Sequence, residues 1–224
     1  FEGREQEHKI TKPFRWESVV LNLLPKLLPC MPQWSDGGAL NVLALFYQER
    51  VKYEEALPVF VRALAISEKA LGKDHLDVAT SLHNLAELYQ YQGAYDNALR
   101  LYVRVLAIRE KALGKDHPDV AESLHNLAEL YRAQSDYAKA LPMHVRALAI
   151  WEKALGKDHP DVATSLSNLA ELYRAQSDYA KALPLNKRAL AISEKALGKD
   201  HPSVATSLNN LALLYHAQGD YAKA

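Results

Sequence analysis

Cysteine is almost absent from this chain of 224 residues: Cys30 stands alone. One thiol cannot build a disulfide framework or a cysteine-based zinc site within a single copy; this suits a reducing compartment, and a cytoplasmic location is expected. An excess of either charge is also missing, since 27 Lys and Arg balance 27 Asp and Glu. Nucleic-acid binders draw much of their affinity from a basic surplus that neutralises phosphates, so nucleic acid is not expected as a partner. Long apolar runs are lacking too. The longest, Val19 to Leu28, is broken by Asn22, Pro25 and Lys26 and is too short to span a bilayer, so no membrane association is expected. The segment before it mixes acids and bases and no small-residue cleavage site follows, unlike a secretory signal. Glycines are scarce, and they form no phosphate loop, dinucleotide fingerprint or nucleophile elbow. With no catalytic constellation in sight, neither catalytic residues nor a cofactor is expected. The chain opens on Phe1 rather than Met, which leads us to expect a piece of a longer protein.

What is present is repetition. The string Ala-Leu-Gly-Lys-Asp-His starts at Ala70, Ala112, Ala154 and Ala196, a step of 42 residues each time. A fixed period of this size marks a solenoid or array of supersecondary units. Inside each period the apolar pattern is helical: Leu82, Leu85, Ala86 and Tyr89 fall on one stripe, and after a turn at Gln92-Gly93-Ala94 a second stripe runs through Tyr95, Ala98, Tyr102, Val105 and Leu106. Each period therefore predicts an antiparallel hairpin of helix A and helix B. The tyrosines Tyr47, Tyr89, Tyr131, Tyr173 and Tyr215 read as core knobs. Asp136, Asp178 and Asp220 are placed to cap B helices. Gly72, Gly114, Gly156 and Gly198 end them in the left-handed position. Pro118, Pro160 and Pro202 open the next A helices, where a missing N–H costs nothing. Hairpins are expected at about 37–72, 79–114, 121–156 and 163–198, with a fifth A helix at about 203–218. Residues 1–36 lie outside the repeat, as a capping helix or the tail of a preceding domain.

The spacing Leu-x2-Leu-Ala-x2-Tyr followed by Tyr-x2-Ala-x3-Tyr resembles the tetratricopeptide signature. That repeat usually has 34 residues and a proline near the end of helix B. Here Glu110, Glu152 and Glu194 take the proline's place, and eight added residues lengthen the B helix and its connection by roughly 12 Å. The resulting form, ALxIxEKxLGxDHPDVAxSLxNLAxLY, is similar to the repeats of kinesin light chains and their bacterial relatives. The resemblance implies an all-α, right-handed superhelical solenoid over residues 37–224, with repeats at 37–78, 79–120, 121–162 and 163–204 and a fifth cut short at 205–224.

It also implies a function: a scaffold whose A helices line a concave groove that binds a peptide or partner domain. The residues carried over are the asparagine row Asn84, Asn126, Asn168 and Asn210, whose amides can both donate to and accept from a peptide backbone. Val42 breaks the row in the first repeat. Beside it come His83, His125, Ser167 and Asn209, then Glu87, Glu129 and Glu171, then Arg132 and Arg174. The pairs Glu129–Arg132 and Glu171–Arg174 partly neutralise each other, so the groove is expected to be polar and mixed in sign. The asparagines could equally bridge neighbouring A helices. A second reading makes the repeats a structural or regulatory arm of a larger signalling protein, an NTPase or effector enzyme, self-associating through open solenoid ends.

The repeated Asp-His pairs from Asp74-His75 to Asp200-His201 invite a metal reading. Stacked hairpins hold equivalent residues about 10 Å apart, whereas ligands must sit about 2 Å from a shared ion. Capping and turn packing are therefore expected there, and no metal site. Repeats three and four differ at seven of 42 positions, among them His125/Ser167 on helix A and His144/Asn186 on helix B.

Overall fold

The computed structural model describes residues 37–220. Among them the helices are α1 (Gly37–Glu49), α2 (Tyr53–Leu71), α3 (Leu76–Tyr91), α4 (Tyr95–Leu113), α5 (Pro118–Ala133), α6 (Tyr137–Leu155), α7 (Pro160–Ala175), α8 (Tyr179–Leu197) and α9 (Pro202–Ala217). Odd-numbered helices are A helices and even-numbered ones B helices. Each packs against its neighbours in sequence, giving four hairpins and a fifth A helix in an all-α repeat solenoid. The expected N-terminal cap lies outside the described residues, as does the helix that Asp220 would start.

The ends of the helices follow from the sequence, with two refinements. Asp136 and Asp178 cap α6 and α8, each accepting from the backbone N–H three residues on. At the A helices the cap is histidine: Nδ1 of His75, His117, His159 and His201 accepts from the N–H two residues on. The A helices thus begin about one turn before the 79, 121 and 163 frame. Gly72, Gly114, Gly156 and Gly198 have φ of 84 to 88° but ψ of 153 to 157°, so they are not in the left-handed helical well. They occupy the extended positive-φ region that only glycine enters readily.

Packing is governed by a large residue entering a pair of small ones. Ala86 of α3 and Ala98 of α4 are fully buried where the two helices of a hairpin approach, and Leu130 of α5 inserts beside them. The same triad recurs with Ala128, Ala140 and Leu172, and with Ala170, Ala182 and Leu214. These leucines are the knobs between repeats. Of the tyrosines expected as core knobs Tyr47 is fully buried, while Tyr89, Tyr131, Tyr173 and Tyr215 are half-buried.

A polar ladder also joins consecutive repeats. Lys111, Lys153 and Lys195 reach back to Asp74, Asp116 and Asp158 at 2.5 to 2.6 Å. Arg104, Arg146 and Arg188 reach back to Glu68, Glu110 and Glu152. They also donate to the carbonyls of Lys73, Lys115 and Lys157. The lysine contacts hold the three aspartates below the usual carboxylate range. The Asp-His pairs are thus split between two structural tasks, a cross-repeat ion pair and a helix cap.

Candidate functional site

Asn84, Asn126, Asn168 and Asn210 fall at equivalent positions of α3, α5, α7 and α9, and all four are half-buried. No hydrogen bond joins any of these amides to another described residue, so they do not bridge the A helices. A bridge of that kind is made elsewhere: Asn41 Nδ2 donates to Ser81 Oγ at 2.7 Å, linking α1 to α3. Asn84 lines a recess of about 550 Å³ walled by α1, α2 and α3, beside Asn41, Val42 and Ser81. Asn126 lines another of about 430 Å³, shared with Glu87, Gln90, Tyr102 and Glu129.

The charged residues along this face are largely committed to each other. Arg132 donates through Nε and Nη2 to Glu129 Oε2 at 2.9 and 2.7 Å. Arg174 grips both oxygens of Glu171 at 2.7 and 2.5 Å. Glu87 has no arginine three residues on and accepts from the Tyr91 hydroxyl at 3.5 Å. Burial raises the Glu129 carboxyl, but the closeness of His144 and Arg132 outweighs it and brings the group down to about 2. Arg132 and Arg174 are held above their ordinary value by their glutamates.

The residues just before the asparagines behave differently. His83 turns toward its own B helix and meets the Tyr102 ring edge-on at 5.7 Å. His125 does likewise, 5.5 Å from the His144 ring and 6.1 Å from Trp151. Burial holds both His83 and His125 below the ordinary imidazole range. Ser167 stays half-buried and Asn209 is exposed.

His144 is the residue that spacing alone passed over as a site. It is fully buried on α6, with Nε2 3.3 Å from Glu129 Oε1. Three of the positions that separate repeats three and four are therefore linked: His125 lies against both Trp151 and His144, and His144 meets Glu129. The available signal was that repeat four changes all three together, to Ser167, Asn186 and Ser193.

The geometry is that of stacked helix hairpins, and comparison with known proteins agrees. A family model described as tetratricopeptide repeat matches residues 37–111, 83–149, 119–195 and 161–224. The chain belongs to the tetratricopeptide repeat family, a fold that generally mediates protein–protein interaction.

More particularly, several of its solved neighbours are of the kinesin light chain-like type. The nearly identical TPR-like repeats of a Podosopora anserina kinesin light chain align with 32% identity and a TM-score of 0.74, covering 83% of this chain and 88% of that one. BtubC (BKLC) from P. vanneervenii aligns with 26% identity and a TM-score of 0.75, covering 93% and 83%. The apo form of RapI, at 17% identity, shares the fold over 82% of this chain and 49% of its own, with a TM-score of 0.68. A comparison with curated proteins returns no match. Among the described residues no helix is long and apolar enough to cross a membrane.

Proposed function

We propose that this chain is a cytoplasmic interaction scaffold rather than an enzyme, holding a peptide or partner domain in a concave groove lined by its A helices. One observation carries the reading. The four asparagine amides recur at equivalent positions of successive A helices, half-buried and with their donors and acceptors uncommitted, and Asn84 and Asn126 line recesses in the helix stack. An extended backbone passing along the row would meet both its N–H and C=O groups. Glu129, Glu171, Arg132 and Arg174 pair among themselves, so the groove reads a backbone instead of clamping an acidic terminus. Glu87, Ser167 and Asn209 complete the wall, and His83 and His125 support it from behind.

The test is selection of peptides on the intact chain, followed by the double variant Asn126→Trp, Asn168→Trp. Losing two backbone hydrogen bonds alone costs about tenfold in affinity. Selected peptides should therefore bind the variant at least that much more weakly, while it still melts cooperatively. Undiminished binding by a folded double variant would place the ligand on another face.

A further inference from the structure

Among the described residues, the third hairpin contains a cluster of metal-ligating groups that the other hairpins lack. One ring nitrogen each of His125 and His144 and one carboxylate oxygen of Glu129 lie within 4.8 Å of one another. His125 and Glu129 are one turn apart on α5, and His144 faces them from α6. The hairpin contact itself therefore holds the three together.

Two features of this cluster point to a ligand, although His83 Nδ1 and Asn186 Oδ1 in other hairpins are also buried without a hydrogen bond. Nδ1 of the fully buried His144 makes no hydrogen bond, and its Nε2 meets only the Glu129 carboxylate, 3.3 Å away and poorly aligned for a hydrogen bond; His125 Nδ1 is also buried without a partner. A buried imidazole left this way costs free energy that a core aromatic would not. Phe60 and Tyr102 are the aromatics at the matching positions of repeats one and two. In addition, the Glu129 carboxylate is divided between two roles. Arg132 occupies Oε2, leaving Oε1 turned toward His144.

We propose that His125, Glu129 and His144 form a zinc site. Two imidazoles and one carboxylate are a donor set that suits Zn²⁺ and disfavours the all-oxygen cations Mg²⁺ and Ca²⁺. Tetrahedral zinc with bonds of about 2.0–2.1 Å holds its ligand atoms roughly 3.3 Å apart. His144 Nε2 and Glu129 Oε1 already have that separation. The third ligand, a His125 ring nitrogen within 4.8 Å of both, completes the set by rotation of its ring toward them. Arg132 keeps Glu129 monodentate and fixes its orientation, as outer partners of metal ligands do. Glu129 also lines the recess beside Asn126, so a fourth ligand, water or a donor from a bound chain, has access. Repeat four, with Ser167 and Asn186 at the two histidine positions, retains only the glutamate.

Titration of the whole chain with Zn²⁺ in competition with a chromophoric chelator tests this, with Co²⁺ absorption reporting coordination geometry. No peptide is present, so the outcome is independent of the groove reading. The expected result is one high-affinity Zn²⁺ per chain and the intense visible bands of tetrahedral Co²⁺. His144→Asn and His125→Ser copy what repeat four already carries in the same fold. Each should weaken binding by more than the ~10- to 100-fold typical of losing an outer-shell partner, and His75→Asn at a surface pair should not. Absence of tight binding, an octahedral Co²⁺ spectrum, or unchanged affinity in His144→Asn and His125→Ser would each overturn the assignment.

Discussion

His83 sits against Tyr102 with Glu87, Glu122 and Arg109 nearby, and its burial determines how it titrates. Burial holds its folded-state pKa below the ordinary 6.5, with Arg109 acting in the same sense and the two glutamates opposing. The unfolded chain therefore takes up the proton first. The contribution of this group to stability is complete above about pH 6.5 and is lost as pH falls through the lower folded value. Replacing His83 by Ser, the residue that repeat four has at Ser167, removes that dependence. Melting temperature between about pH 7 and pH 5 should fall less steeply in His83→Ser than in the parent. An identical slope would mean that the buried imidazole protonates in place.

At the scale of the element, the A–B turns carry a strain that two repeats have avoided. Ser135 and Ser177 have φ of 60 and 61°, while Gly93 and Gly219 hold the same turn position with φ of 73 and 77°. A left-handed conformation costs a residue with a side chain about 1–2 kcal/mol, partly offset by the extra unfolded-state freedom of glycine. Ser135→Gly is expected to stabilise the chain by roughly 0.5–1 kcal/mol in denaturant unfolding, and Ser177→Gly equally. The turns, prolines and glycine ends were legible in the sequence because each is a local backbone requirement. The inter-repeat knobs were not. Leu88 and Tyr89 are neighbours on an A helix covered on one side by its B helix and on another by the next hairpin. A single apolar stripe cannot tell which of the two points where. The asparagine row was legible as a periodic feature. Its freedom from bridging bonds was not, because that depends on the distance between hairpins. The His125–Glu129–His144 cluster was hidden for a related reason, since His144 meets the other two only once α5 and α6 are packed.

Across the whole molecule, cohesion between repeats comes from the buried leucine knobs more than from the surface ladder. Leu172→Ala empties the hole formed by Ala128 and Ala140 and should cost about 2–5 kcal/mol. Because each repeat touches only its neighbours, this loss should split melting into separate events on either side of the junction between the third and fourth hairpins. Lys153→Ala breaks an exposed ion pair with Asp116, and its melting curve should lie close to the parent's and coincide with it in high salt. A larger effect from Lys153→Ala than from Leu172→Ala would reverse this ranking.

Whereas Arg109 reaches forward to Glu122 of α5, the lysine and arginine rungs from Arg104 to Lys195 run in one direction, from a B helix back to the connection and helix of the repeat before it. A ribosome delivers the chain in that same order. When a hairpin emerges, the loop that its lysine and arginine grip has already been made, and so has the alanine pair that its leucine enters. The solenoid can therefore assemble as it is synthesised, each unit docking on a finished surface without waiting for the unit that follows.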